Sequence, residues 1–129
     1  MKVLLVDDHI LFREGLKSLL SRLDDIDIVE TAETVSEAVA QAVQSAPDLI
    51  LMNFNLPDGT GLEATQAILA NRPKTNILFL TTYEKDERLS EALRFGALGY
   101  LNKSVSLNKL LAYIRSVIVD RDEVVMPIF

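Results

Sequence analysis

Two kinds of apolar pattern alternate along the whole chain, and this alternation is the strongest constraint on the fold. Short unbroken apolar runs predict buried strands, whereas apolar residues at i, i+3 and i+4 predict amphipathic helices. The apolar runs predict five strands, at residues 3–6, 26–29, 49–52, 77–80 and 99–101. Helical segments separate them, so we expect a (βα)5 doubly wound α/β domain built on a parallel sheet.

The helical segments also indicate which faces are buried and where two helices begin. The apolar faces of the first two helices comprise Phe12, Leu16, Leu19, Leu20 and Leu23, and then Val35, Ala38, Val39, Ala42 and Val43. Thr34 with Glu37, and Thr60 with Glu63, have the spacing of a capping box, which predicts the starts of helices two and three. Asp27 interrupts the second apolar run, so that strand is expected at an edge of the sheet.

Composition excludes several classes of function. A chain of 129 residues is the usual size of one domain. It has no cysteine, which excludes disulfides and thiol nucleophiles and fits a reducing compartment. The net charge of −6 argues against direct binding of nucleic acid. The first apolar run is too short for a signal or membrane segment, so a cytoplasmic location without membrane contact is expected.

Polar residues that suit a metal and a phosphoryl group follow four of the predicted strands. In open α/β sheets, ligands bind at the carboxyl ends of the strands. The residues found there are Asp7 and Asp8, Asn53 and Asn55, Thr81, and Lys103. Carboxylates hold Mg²⁺, and a hydroxyl and an ammonium group can hold phosphate oxygens. The sequence therefore predicts a Mg²⁺ pocket beside a phosphoryl site at one edge of the sheet.

Four segments, at residues 3–9, 47–52, 56–61 and 96–103, resemble the signature segments of one family: the receiver domains of bacterial two-component response regulators. The resemblance covers residues 2 to about 119. It implies a flavodoxin-like strand order, 2-1-3-4-5, and a receiver domain at residues 1–119. Residues 120–129 resemble the start of a linker in the NarL/FixJ group, which implies a helix-turn-helix output domain beyond this chain that regulates transcription.

The resemblance also implies roles for the pocket residues. Asp7 and Asp8 would hold Mg²⁺ together with the backbone carbonyl of Asn55, and Thr81 and Lys103 would contact the phosphoryl group. Thr81 and Tyr100 would form the switch that responds to phosphorylation. The implied partner is a sensor histidine kinase or a phosphotransfer protein, with a homodimer as a further possibility.

One position departs from the family pattern. Asn53 stands where the family has its phosphorylated aspartate, and a neutral amide is a poor nucleophile compared with a carboxylate. We therefore expect Asn53 to be inactive as a phosphoacceptor and, as a metal ligand, to weaken Mg²⁺ binding. Two explanations are open: a deliberate Asp→Asn replacement, which the otherwise complete pocket favours, or a natural receiver that signals without phosphorylation.

Three other functions compete with this interpretation. A Mg²⁺-dependent phosphohydrolase would use similar groups, but the first strand lacks the Asp-x-Asp pattern of aspartate phosphatases, so no enzymatic activity is expected. A flavin or nucleotide module is disfavoured by the acidic first loop. A degenerate receiver that acts only through protein interactions remains open because of Asn53. We expect His9 to begin helix one rather than bind metal, and Thr81 rather than Thr82 to face the pocket.

Overall fold

The computed structural model describes residues 1–82 and 87–119, which form a parallel sheet between two layers of helices. The strands and helices alternate along the chain as β1 (Lys2–Val6), α1 (Ile10–Leu20), β2 (Asp27–Ala32), α2 (Val35–Ser45), β3 (Leu49–Asn53), β4 (Asn55–Leu56), β5 (Gly59–Thr60), α3 (Gly61–Asn71), β6 (Asn76–Thr81), α4 (Glu87–Arg94), β7 (Gly99–Asn102) and α5 (Leu107–Val119). The strand order of the main sheet is β2-β1-β3-β6-β7, and all its neighbours are parallel. The (βα)5 class and the flavodoxin-like order are confirmed.

The three unbroken apolar runs form the centre of the sheet because both of its faces are covered. Every residue of β3 is buried, and the same holds for all but the first residue of β1 and of β6. On one face, Ala38, Ala42, Ala64 and Ile68 from α2 and α3 complete a core. On the other face, Leu20 of α1 and Leu110, Leu111 and Ile114 of α5 complete a second core.

The second strand lies at an edge, as Asp27 predicted, but its bounds differ from the prediction. β2 runs from Asp27 to Ala32 rather than over residues 26–29. Its partners along β1 continue as far as Val6, which pairs with Ala32. An edge strand accommodates polar residues because one of its sides is open to solvent, so the apolar run underestimated its length.

Both predicted capping residues start their helices, whereas two predicted core positions are exposed. The Thr34 hydroxyl accepts a hydrogen bond from the Glu37 amide at 3.0 Å, and the Thr60 hydroxyl accepts one from the Glu63 amide at 3.2 Å. Leu19 is 42% exposed and Val43 is 49% exposed. The apolar stripe therefore extends beyond the part of each helix that the sheet covers. The predicted linker, residues 120–129, lies outside the described residues.

Candidate functional site: an acidic pocket at the carboxyl edge of the sheet

The carboxyl ends of four strands bring the predicted polar residues to one edge of the sheet. Asp7 and Asp8 follow β1 directly, whereas Asn53 and Thr81 are the last residues of β3 and β6. Lys103 follows β7 and is held there by its backbone, since its amide donates to the Thr81 carbonyl at 2.8 Å. The strands are parallel, so they all begin at one edge of the sheet and their carboxyl ends meet at the other edge.

A buried ion pair joins the first and last of these strand ends. The Lys103 Nζ lies 2.7 Å from Asp7 Oδ2, and the two side chains are 8% and 6% exposed. The Lys103 Nζ also lies 3.1 Å from His9 Nδ1 and 4.6 Å from the centre of the Phe12 ring. Lysine is thus held by a carboxylate, an imidazole nitrogen and an aromatic face, which together fix its ammonium group over the pocket.

Asp8 belongs to a second set of contacts, centred on Asn53. The Asn53 Nδ2 donates to Asp8 Oδ1 at 3.2 Å and to the backbone carbonyl of Asn55 at 2.7 Å. Asn53 is 7% exposed, so this amide sits within the pocket rather than on its rim. The nitrogen of the side chain therefore faces the carboxylate and the carbonyl to which the family resemblance assigns a role in holding Mg²⁺.

The donor set fits a hard divalent cation. Asp7, Asp8 and His9 each offer a ligand atom, and these atoms lie within 4.8 Å of one another. With the Asn55 carbonyl beside Asp8, the pocket supplies three oxygen-bearing groups of the kind that Mg²⁺ selects over nitrogen. His9 precedes α1 as its N-cap residue, and its backbone amide donates to Asp7 Oδ1 at 2.9 Å. That contact fits the structural role expected for His9.

Thr81 and Tyr100 are the remaining predicted residues. Thr81 is 4% exposed, whereas its neighbour Thr82 is exposed. Tyr100 lies in β7 beside Phe79 of β6, and its half-buried side chain packs against the core that α2 and α3 cover. The ligand, phosphoryl-contact and switch roles given to Asp7, Asp8, Asn53, Asn55, Thr81, Lys103 and Tyr100 stay predictions.

Sequence reasoning missed Arg13, which holds the backbone of the pocket. The Arg13 side chain is on the buried side of α1, and its Nη1 donates to the Asp7 carbonyl at 3.0 Å and to Glu33 Oε1 at 2.7 Å. It thereby ties the end of β1 to the loop after β2. The sequence did contain a signal for a buried arginine, because Arg13 lies beside Phe12 and Leu16 on the apolar face of a helix.

Gly61 was also missed as a residue that shapes the pocket. The first residue of α3 approaches β3 so closely that a Cβ atom at position 61 would lie 2.6 Å from the Asn53 carbonyl oxygen and 2.6 Å from the Phe79 ring. Its amide donates to the Phe54 carbonyl at 2.5 Å. Only glycine permits this approach, so residue 61 sets where the end of β3 lies.

Comparisons with solved structures agree with this fold. The signal receiver domain of NarL from Mycobacterium tuberculosis superposes with a TM-score of 0.85 at 25% identity, covering 93% of this chain and 97% of that one. A LuxR-family two-component response regulator from Aurantimonas sp. SI85-9A1 gives a TM-score of 0.87 at 30% identity, covering 97% of this chain and 88% of that one.

Sequence comparisons identify the family. The chain is 38% identical over 118 residues to the oxygen regulatory protein NreC of Staphylococcus carnosus, and 37% identical over 117 residues to the DNA-binding transcriptional activator DevR/DosR of Mycobacterium tuberculosis. Each alignment covers 91% of this chain and 54% of the relative, so the chain spans about half the length of these proteins. Residues 3–115 match the response regulator receiver domain family. The chain therefore belongs to that family, as the receiver domain of a two-component response regulator of the NarL/LuxR type.

Proposed function

We propose that this receiver has a complete phosphorylation pocket except for its nucleophile, so that the chain as it stands does not accept a phosphoryl group. The observation that carries the proposal is the position of Asn53. Its side chain ends β3 inside the pocket, within hydrogen-bonding distance of Asp8 and of the Asn55 carbonyl. An aspartate there would place a carboxylate oxygen among the same groups.

The neighbouring residues have the chemistry that phosphoryl transfer needs. Asp7, Asp8 and the Asn55 carbonyl would hold Mg²⁺, which would neutralise charge on the phosphoryl oxygens when bound. Lys103 is a fixed cation at the same edge, and the Thr81 hydroxyl is a donor at the end of the next strand. Transfer of this kind depends mainly on position and on charge neutralisation, so the missing element is the anionic nucleophile.

The wider role follows from the relatives. NreC is named as a regulatory protein and DevR/DosR as a DNA-binding transcriptional activator, and both are about twice as long as the aligned segment. We extend this to a full protein in which residues 120–129 lead to a DNA-binding output domain, with a sensor histidine kinase or phosphotransfer protein as partner and possible homodimerisation. The net charge of −6 leaves DNA contact to the output domain.

None of the helices in residues 1–82 and 87–119 has the length and apolar character that crossing a bilayer requires. We place the protein in the cytoplasm, where its kinase would transfer the phosphoryl group.

Phosphorylation by a small donor tests the proposal. Intact-protein mass spectrometry after incubation with acetyl phosphate and Mg²⁺ should detect one added phosphoryl group on Asn53→Asp, removable by hydroxylamine, and none on the unaltered chain. Asn55→Asp is the matched control: it adds the same carboxylate two residues away on an exposed side chain and should remain unlabelled. An unlabelled Asn53→Asp variant, or a labelled unaltered chain, would refute the proposal.

A degenerate receiver that signals only by protein contacts is the second candidate. The two hydrogen bonds of Asn53 favour it, because they complete the polar contacts of the pocket without a phosphoryl group. An aspartate codon at position 53 of the native gene would exclude this candidate, and an asparagine codon would support it.

A further inference from the structure

The orientation of the Asn53 amide is fixed by what it touches. Its Nδ2 lies 2.7 Å from the Asn55 backbone carbonyl and 3.2 Å from Asp8 Oδ1. A backbone carbonyl only accepts hydrogen bonds, so an amide oxygen at that distance would be repelled. The nitrogen of Asn53, and not its oxygen, must therefore face these two groups.

Those two oxygens are also ligands that the pocket would offer to Mg²⁺. We infer that the Asn53 amide nitrogen is an internal substitute for the cation, occupying the ligand set with two N–H donors. The inference deepens the proposed function, on which it rests, because it says how the pocket behaves when residue 53 is not a carboxylate. An asparagine at this position is then a competitor of the metal and not a weak ligand for it.

The charges around the pocket support the same conclusion. Lys103 neutralises Asp7 through the buried ion pair at 2.7 Å, and the Asn53 amide donates to Asp8. Each carboxylate thus has a donor that belongs to the protein. An aspartate at position 53 would instead face the Asp8 carboxylate and the Asn55 carbonyl with acceptors alone, an arrangement that requires a cation to hold it together.

The inference makes a prediction opposite to that of ordinary ligand replacement. A cation must displace the amide nitrogen and break two hydrogen bonds, which weakens binding on the order of tenfold. Asn53→Ala removes the competitor without adding a ligand. We therefore expect divalent-cation affinity to fall in the order Asn53→Asp, Asn53→Ala, unaltered chain. If the Asn53 amide were an oxygen ligand, the last two would be reversed.

Manganese titration measures this order directly. Free Mn²⁺ is followed by electron paramagnetic resonance as each protein is added, with Asp8→Ala as the control that should abolish the site. Binding to Asn53→Ala about tenfold tighter than to the unaltered chain would support the inference. The inference would be overturned if Asn53→Ala bound Mn²⁺ no more tightly than the unaltered chain does. It would also be overturned if the Asp8→Ala variant bound Mn²⁺ as tightly as the unaltered chain does.

A second measurement covers the case in which Asn53→Ala does not fold. In EDTA the unaltered chain should unfold at a higher temperature than Asn53→Asp, and Mg²⁺ should raise the midpoint of Asn53→Asp while leaving the unaltered chain nearly unchanged. An equal rise for both proteins would overturn the inference. The proposed function fails separately, if Asn53→Asp accepts no phosphoryl group while Asn53→Ala still binds Mn²⁺ more tightly than the unaltered chain.

Discussion

The two edges of the sheet each carry an ion pair, but in opposite surroundings. At the carboxyl edge, Asp7 and Lys103 are 6% and 8% exposed and lie 2.7 Å apart. At the amino edge, the Arg115 Nε lies 3.2 Å from Asp25 Oδ2, with side chains 51% and 55% exposed. Water can replace either partner of the second pair but not of the first. Loss of one partner should therefore reduce the stability of the fold strongly at the carboxyl edge and only slightly at the amino edge.

The carboxyl edge has the more buried ion pair, but the larger cavity lies at the amino edge. The amino edge has an open cavity of about 420 Å³ between the loops at residues 46–48 and 71–76. At the carboxyl edge, the cavity beside Asp7, Arg13 and Asn53 measures about 10 Å³, and a second cavity beside Lys103 and Leu107 measures about 300 Å³. Space alone does not locate chemistry in this molecule. What marks the site is that buried polar groups from separate strands converge on each other.

Lys103→Met should produce the largest difference between the edges. It leaves the buried Asp7 carboxylate without its cation, which should lower the free energy of unfolding by about 3 kcal/mol in urea titrations. The matched variant at the amino edge, Arg115→Met, should leave the urea midpoint nearly unchanged, since solvent hydrates Asp25.

Combining Lys103→Met with Asp7→Asn removes the unpaired charge and should recover part of the lost stability. Equal losses from Lys103→Met and Arg115→Met would mean that burial does not distinguish the two pairs.

Substitutions of two glycines, Gly61 at the pocket and Gly15 on the exposed side of α1, should change the free energy of unfolding by an intermediate amount. Gly61→Ala forces a methyl group against the Asn53 carbonyl and the Phe79 ring, so it should lower the free energy of unfolding by about 2 kcal/mol. Gly15→Ala is the control, because a Cβ at that exposed position of α1 meets nothing within 4 Å. Higher helix propensity should raise stability there by about 1 kcal/mol. Thermal unfolding of both variants checks the opposite signs; a stabilising Gly61→Ala would contradict the close packing at the pocket.

The smallest expected effect concerns two exposed carboxylates, one at each edge. The amides of Val35 and Ser36 donate to Asp58 and hold its pKa below the usual range, and the Arg115 guanidinium does the same for the pKa of Asp25. A lowered folded pKa gives stability that is fully present above the ordinary aspartate pKa, about 3.9, and is lost as pH falls through the lowered value.

Asp58→Asn and Asp25→Asn should therefore each be slightly less stable than the unaltered chain near neutral pH, and the differences should shrink in strong acid. Added salt should diminish the Asp25 effect more, because that contact is an exposed ion pair, whereas backbone amides hold Asp58. Thermal unfolding across pH at two salt concentrations measures both trends. A difference that grows in acid would contradict the assigned pKa directions.

The spacing of apolar and capping residues along the chain was enough to predict the elements that follow a regular period. The central strands, the two capped helices and the placement of Asp7, Asn53, Thr81 and Lys103 at strand ends follow from spacing along the chain. The sequence failed where an element depends on its neighbours. The short β4 and β5 pair has no apolar period, and β2 extends through polar residues because β1 pairs with it.

The sequence by itself determined the fold class and the residue types that meet at the carboxyl edge, because a parallel sheet aligns its strand ends whatever the side chains do. Only the tertiary structure decided which donor reaches which acceptor. Lys103 pairs with Asp7, Arg13 clamps the Asp7 carbonyl, and the Asn53 nitrogen turns towards Asp8. These contacts join residues up to 96 positions apart, 103 − 7. They depend on side-chain rotamers and burial in three dimensions, which spacing along a chain does not encode.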